Sequence, residues 1–153
     1  MAHNPVNHPL RPLYRAVAGL VGLYLIAYGV VGLIVTADEG LFGRDGDRVF
    51  GQDGNLFWSI ISLLIGAIVL AAAVLGRNRD VFVNTYLGWT LIVIGTFALA
   101  FMRTSVNFMD FSISTVIVTY LAGLALLLAG FYGKIAPPEE TSPPRQVQES
   151  RAA

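Results

Sequence analysis

The sequence predicts an all-α membrane protein, a four-helix transmembrane bundle with a small β-hairpin in its first outer loop. Four long apolar blocks cover about residues 13–36, 56–76, 81–102 and 112–133. Each block is close to the ~20 residues that a helix needs to cross the ~30 Å hydrocarbon core of a bilayer. Only 13% of the 153 residues are charged, whereas soluble domains average about 25%. Every charged residue lies outside the block cores, as expected for segments in lipid.

The first and last segments of the chain are predicted to lie outside the bundle. Residues 1–12 form an irregular N-terminus, because Pro5, Pro9 and Pro12 interrupt it and Pro12 suits the first turn of a helix. Residues 134–153 form a Pro-rich tail without apolar periodicity, which predicts disorder. The bundle itself covers residues 13–133.

Basic residues are unequally divided between the two sides of the predicted membrane. Three lie on the side of the two outer loops, and seven lie on the side of the termini and the central turn: Arg11, Arg15, Arg77, Arg79, Lys134, Arg145 and Arg151. Because cytoplasmic segments carry the excess of Lys and Arg, both termini and the turn at residues 76–80 are predicted to be cytoplasmic. The zero net charge indicates no nucleic-acid partner.

Small residues recur on one face of every predicted span. The predicted packing positions are Gly19, Gly22, Gly29, Gly66, Gly88, Gly95, Gly123 and Gly130. Small residues let helices approach closely in lipid, where the hydrophobic effect does not drive helices together. The same spacing indicates an internal duplication, in which the glycines of spans one and two correspond to those of spans three and four. Two parallel hairpins related by an axis along the membrane normal would produce it, and so would chance repetition of a common residue.

The first outer loop, residues 37–55, carries both a turn signal and a group of acids. Asp45-Gly46 lies between the apolar pairs 41–42 and 49–50, which is typical of a β-hairpin. The acids also suggest calcium, but Phe50 and Leu56 occupy the positions where an EF-hand loop requires Gly and Glu. His3 and His8 have no third ligand nearby, and the chain has no cysteine. We therefore predict no metal and no cofactor.

Hydroxyl side chains within the spans lie in the outer half of the predicted membrane. The candidate pocket residues are Tyr28, Ser62, Thr96, Thr119 and Tyr120. These residues either line a shallow pocket that opens outward or only form hydrogen bonds between helices, each worth roughly 0.6 to 2 kcal/mol. The sequence leaves both interpretations open.

Several polar stretches resemble a family of small four-span bacterial membrane proteins known only as a domain of unknown function. The matching stretches are Asn4-Pro5 with residues 7–15, Gly76-Arg77-Asn78 with Asp80, Phe82 and Asn84, and Arg103-Thr104 with Asn107-Phe108 and Phe111-Ser112. The resemblance covers about residues 4–134. It implies the four-span topology and a bacterial plasma (inner) membrane, and it supplies no active site.

A non-enzymatic membrane protein is the function that these observations favour. No carboxylate, histidine or arginine lies mid-span, and all seven prolines lie outside the spans, which disfavours transport. We expect an accessory or assembly subunit that lies in the bilayer and packs against a larger membrane complex, with Arg77, Arg79 and Asp80 as contact residues.

Two alternatives of other classes stay open. One is a binder or carrier of a small apolar molecule, such as a lipid or quinone, in the outer-half pocket. The other is a membrane enzyme that uses Asp45, Asp47 and Asp53 of the acidic loop. The sequence also leaves open whether the chain forms a homo-oligomer.

Overall fold

The computed structural model describes residues 6–44 and 48–136 of the chain. Its helices are α1 (Arg11–Val35), α2 (Leu56–Leu75), α3 (Arg79–Phe101) and α4 (Ile113–Tyr132). All four are long and apolar enough to cross a membrane. The predicted fold class is confirmed: the protein is an all-α, multi-pass membrane protein. The segments 1–5 and 137–153, and with them part of the predicted N-terminus and most of the predicted tail, lie outside the described residues.

The helices run alternately up and down. Helices α1 and α3 begin, and α2 and α4 end, at one end of the bundle, which we call the turn end after the short turn 76–78. Segments 36–55 and 102–112 lie at the opposite end, the loop end. These two ends are the places where polar side chains gather.

Local sequence determines where the helices begin and end. The side chains of Asn55 and Ser112 cap α2 and α4, each accepting a backbone N–H from the first turn. Gly76 ends α2 with a φ of 61°, a conformation that glycine adopts without the steric cost of a side chain. The chain can therefore turn into α3 within a few residues.

The bundle consists of two hairpins that pack side by side. Helix α1 packs most extensively against α2, and α3 against α4, while the α1–α4 and α2–α3 interfaces are smaller. In the first hairpin, a Cβ added to Gly66 would lie 2.7 Å from the Gly22 carbonyl oxygen. In the second, a Cβ added to Gly88 would lie 2.9 Å from the Gly123 carbonyl oxygen. Only glycine allows so close an approach of two backbones.

We call the line of close contacts between the two helices of a hairpin its seam. The seams of the two hairpins correspond position by position. The equivalent neighbours are Gly22–Leu70 and Gly88–Leu127, Gly66–Ile26 and Gly123–Ile92, and Gly19–Ala73 and Thr85–Gly130. This correspondence supports the internal duplication, with the α1–α2 and α3–α4 hairpins as its halves. It also relates residues outside the seams, such as the two N-caps of α2 and α4.

The first long loop differs from the predicted hairpin. The Leu41 carbonyl oxygen accepts the backbone N–H of Phe57, at 3.0 Å, in the first turn of α2. Val49 pairs instead with Gln52 in a single antiparallel bridge, and the described residues contain no strand. The predicted pairing is wrong because Leu41 satisfies a free donor at the start of α2. The predicted turn, residues 45–47, lies outside the described residues.

Candidate functional site

The predicted packing glycines lie along the seams, under different degrees of constraint. A Cβ on Gly29 would lie 2.7 Å from the Ser59 carbonyl oxygen, and one on Gly130 would overlap Thr85. By contrast, a Cβ on Gly19 or Gly95 would meet its nearest neighbour at 3.9 or 3.5 Å, which is ordinary contact. The spacing of glycines in the sequence does not distinguish these two groups.

The five candidate pocket residues divide into two groups. Thr96 and Tyr120 hydrogen-bond to each other at 2.9 Å across α3 and α4, on the side of the bundle that is partly exposed. Tyr28, Ser62 and Thr119 are buried, and the Thr119 hydroxyl donates to its own helix. The hydroxyls of Tyr28 and Ser62 have no partner among the described residues.

Apolar grooves lie on the two smaller helix interfaces. One, between α2 and α3, has a volume of about 390 Å³ and an entirely apolar lining that includes Ile61, Val93 and Phe97. Another of about 390 Å³ lies between α1 and α4, beside Tyr24 and Leu121. Neither lining includes any of the five candidate pocket residues.

Two arginines of α1 bind the ends of other helices at the turn end. The Arg11 guanidinium forms an ion pair with Asp80 at 3.2 Å and donates from Nε to the Gly133 carbonyl oxygen at 2.8 Å. Arg15 donates to the carbonyl oxygens of Ala73 and Val74, which belong to the last turn of α2. The last carbonyls of a helix have no partner within it and carry partial negative charge, so both arginines stabilise helix C-termini.

Asp80 belongs to the interior of the turn end. It is only 3% exposed and pairs with Arg11, whereas its predicted contact with a partner stays a prediction. This burial is not evident from the sequence, because the balancing cation, Arg11, comes from another helix. One Asp80 carboxylate oxygen and the side-chain oxygen of buried Asn84, one turn along α3, have no hydrogen-bond partner in the described part of the chain.

Two asparagines hold the segment that follows α4. The Asn78 side chain exchanges two hydrogen bonds with the backbone of Ile135, both at 2.7 Å. Asn7 does the same with Ala136, at 2.8 and 3.2 Å. We call these four hydrogen bonds the asparagine clasp. It joins the N-terminal segment, the α2–α3 turn and the exit from α4 into one polar layer.

Helix α3 carries a row of large side chains that no other helix covers. We call this row the α3 stripe: Phe82, Tyr86, Trp89, Val93 and Phe97. Steps of three and four residues place them on one face, and α3 is the least buried of the four helices. Trp89, near the middle of the helix, is 53% exposed. At the loop-end side, the stripe borders the groove between α2 and α3.

The loop end is closed by hydrogen bonds between the two long loops and the starts of α2 and α4. Asn55 donates to the Phe108 carbonyl oxygen at 2.6 Å, and Thr115 donates to the Asp53 carbonyl oxygen at 2.5 Å. The Asp53 carboxylate pairs with Arg48 at 2.6 Å, and this hydrogen bond raises the pKa of Arg48. Asp53 is thus part of an ion pair, while Asp45 and Asp47 lie outside the described residues.

A protein family described as a domain of unknown function (DUF4383) matches residues 15–132. The chain belongs to the DUF4383 family. The resemblance noted in the sequence is therefore confirmed. No curated protein and no solved structure matches the chain.

The DUF4383 match covers most of the candidate site. It contains the α3 stripe, Asp80 and Asn84, whereas Asn7 and Arg11 precede it. The description of DUF4383 states no activity. Among residues 6–44 and 48–136, no three His, Cys, Asp or Glu side chains are grouped so as to hold a metal ion.

Proposed function

We propose that the protein is a non-enzymatic accessory or assembly subunit that packs against a larger protein complex in a bacterial plasma (inner) membrane. In this proposal the turn end faces the cytoplasm, as the distribution of basic residues predicts. The exposure of the α3 stripe, and of Trp89 in particular, is the observation that carries the proposal.

The depth of Trp89 is unusual for a side chain that faces lipid. Trp89 is ten residues from the start of α3, or about 15 Å at ~1.5 Å per residue, so it lies near the bilayer centre. Tryptophan in membrane proteins favours the interfaces, where its N–H meets water or headgroups. No described residue accepts a hydrogen bond from the Trp89 indole. A partner helix would cover the ring and supply the acceptor that hydrocarbon lacks.

The composition of the stripe also fits a protein interface. Aromatic side chains and arginine supply most of the binding energy at protein interfaces. The stripe presents Phe82, Tyr86 and Trp89 along the half of α3 nearest the turn end, and a groove beside Val93 and Phe97 along the other half. A ridge followed by a groove gives a transmembrane partner both a surface to pack on and a recess to enter.

Site-specific photocrosslinking in native membranes tests this proposal. A photoreactive phenylalanine derivative placed at Trp89 is expected to give one discrete protein adduct. The control position is Leu23 on α1, which is 51% exposed and outside the stripe. We expect no protein adduct from Leu23. Adducts with lipid alone at both positions would contradict the proposal.

Mild-detergent purification gives a second measurement of the same surface. Trp89→Leu keeps the residue apolar but removes the ring and its N–H, and we expect it to reduce the amount of co-purified partner by about tenfold or more. Leu23→Ala is the matched control and should leave the yield of partner unchanged. Recovery of the wild-type protein as a lone monomer in mild detergent would argue against an assembly role.

Binding of a small apolar molecule is a second candidate, and the groove between α2 and α3 favours it. Its volume of about 390 Å³ falls within the range of roughly 300–1,000 Å³ typical of ligand sites. Extraction and mass spectrometry of lipids and quinones retained by the purified protein would test it. A retained molecule that Val93→Trp displaces would favour this candidate over assembly.

A further inference from the structure

The arginines at the turn end differ in what they bind. Arg11 and Arg15 donate to groups within the bundle. Arg77 and Arg79 are exposed and pair with no described residue. Both lie at the start of α3, so the cations without partners are next to the α3 stripe.

The internal duplication explains why Arg77 has no carboxylate partner in the described part of the chain. Arg11 lies eleven residues before Gly22, and Arg77 lies eleven residues before Gly88, so the two arginines are equivalent. Asp80, the partner of Arg11, lies eight residues before Gly88. The equivalent position in the first hairpin is Tyr14, eight residues before Gly22. The second hairpin thus supplies a carboxylate to the first, and the equivalent position of the first hairpin offers no carboxylate in return.

Arg79 continues the line of the α3 stripe. It lies three residues before Phe82, so both side chains lie on the same face of α3. A helix that packs along Trp89, Tyr86 and Phe82 would therefore reach the level of Arg79 as it leaves the membrane.

A second copy of this chain is not the partner that this surface favours. Two copies in one membrane share an orientation, so a symmetric dimer through the stripe would bring the two Arg79 side chains together, with both Arg77 side chains nearby. Like charges placed face to face weaken an association. A different protein with negative charge at this level has no such cost.

We infer that the partner is a different membrane protein, whose transmembrane helix packs along the α3 stripe and carries Asp or Glu side chains at the turn end that pair with Arg77 and Arg79. This inference rests on the proposed assembly function and specifies the chemistry of the partner. The acidic side chains of the partner give Arg77 and Arg79 what Asp80 of the second hairpin gives Arg11, a carboxylate to pair with.

Paired crosslinking at two depths tests the inference. The photoreactive phenylalanine derivative is placed separately at Arg79 and at Trp89 in native membranes, and the crosslinked peptides are sequenced by mass spectrometry. We expect both positions to reach the same foreign protein, with Asp or Glu within a few residues of the peptide captured from Arg79. Replacing those acids with Lys should restore a complex that the double variant R77E/R79E has lost.

The dependence of partner binding on the charges of Arg77 and Arg79 is measured as the crosslink yield at Trp89. R77E/R79E is expected to lower the yield by about tenfold, which corresponds to about 1.4 kcal/mol of binding free energy. R77K/R79K keeps the positive charge and should retain most of the yield. Arg103→Glu, an exposed residue just beyond the loop end of α3, is the control for charge alone and should have no effect.

The possible outcomes separate the two proposals. A protein adduct at Trp89 with only lipid at Arg79, an adduct with a second copy of this chain, or a yield unaffected by R77E/R79E would overturn the acidic-partner inference while leaving an assembly role in place. Lipid adducts alone at both positions would overturn the assembly role and this inference with it.

Discussion

The two hairpins share a seam but differ in their polar ends. Gly22 and Gly66 bring α1 and α2 together in the same way that Gly88 and Gly123 bring α3 and α4 together. At the turn end, however, Arg11 has a buried carboxylate partner, and its equivalent Arg77 has none among residues 6–44 and 48–136. Close packing of backbones constrains both halves alike, whereas polar side chains diverge where they meet something outside their own hairpin. The positions where the halves differ are therefore the best guide to function.

The largest effect is expected from Arg11→Met. The variant leaves buried Asp80 without its cation and the Gly133 carbonyl oxygen without a donor. Removing one partner of a buried ion pair costs roughly 3–5 kcal/mol, so we expect a loss of about 3 kcal/mol in the free energy of unfolding. Chemical unfolding in detergent measures it.

The matched variant is Arg77→Met, which removes the equivalent arginine of the second hairpin. We expect it to change the free energy of unfolding by less than about 0.5 kcal/mol, because exposed side chains contribute little to stability. Equal losses in the two variants would refute the difference between the halves.

The shared seam is tested by Gly66→Ala and Gly88→Ala. The added methyl groups would meet backbone atoms of the facing helix at 2.7 and 2.9 Å, and overpacking of this kind costs typically 1–3 kcal/mol. We expect each variant to lose about 2 kcal/mol of unfolding free energy in the same assay. Gly95→Ala, whose methyl group would lie 3.5 Å from the Tyr120 ring, is the control. Similar stabilities for all three would show that the seam has more room than the structure indicates.

The asparagine clasp has an expected effect of about 1 kcal/mol, typical of lost hydrogen bonds. Asn78→Gly keeps the positive φ of 64° at low cost but removes both side-chain bonds to Ile135. We expect amide hydrogen exchange at Ile135 to become about fivefold faster. Asn7→Gly is the matched variant and should speed amide hydrogen exchange at Ala136 more than at Ile135. Unchanged exchange in both variants would mean that the clasp does not hold this segment.

The smallest effect is expected for the hydrogen bond between α3 and α4. Thr96→Val removes the bond to Tyr120, and such bonds in membrane proteins average about 0.6 kcal/mol. Thr90→Val is the control, because the Thr90 hydroxyl donates only within its own helix. A difference of about 0.6 kcal/mol in unfolding free energy between the two variants is expected. A larger loss of unfolding free energy for Thr90→Val than for Thr96→Val would contradict a stabilising role of the Thr96–Tyr120 hydrogen bond.

Hydropathy predicts this fold because each span must satisfy its own backbone in lipid. The four helices begin and end within two residues of the predicted spans. The glycine spacing indicated which faces pack and suggested the duplication. It did not tell which glycines are required, because this depends on which atoms of the facing helix lie opposite, as Gly66 and Gly95 show.

The site was less predictable than the fold. Asp80 belongs to the predicted charged turn 76–80 and therefore looked exposed, but its burial depends on Arg11 and Gly133, which are distant in sequence. The hydroxyls of Tyr28 and Tyr120 are at similar predicted depths, yet rotation about the helix axes buries the first and places the second beside Thr96. Depth follows from counting residues, whereas rotation follows from tertiary packing.

Because each glycine seam is complete within one hairpin, the order of biogenesis matters little for most of the contacts. Helices α1 and α2 can close on each other in the bilayer while the ribosome is still adding α3 and α4. The contacts between the hairpins have to wait for the second one, and Arg11 is an example, since its carboxylate is translated with α3. Until then, this guanidinium is left to water and lipid phosphates. Its pairing with Asp80 then joins the two hairpins at the turn end, as the Asn55–Phe108 and Thr115–Asp53 hydrogen bonds do at the loop end.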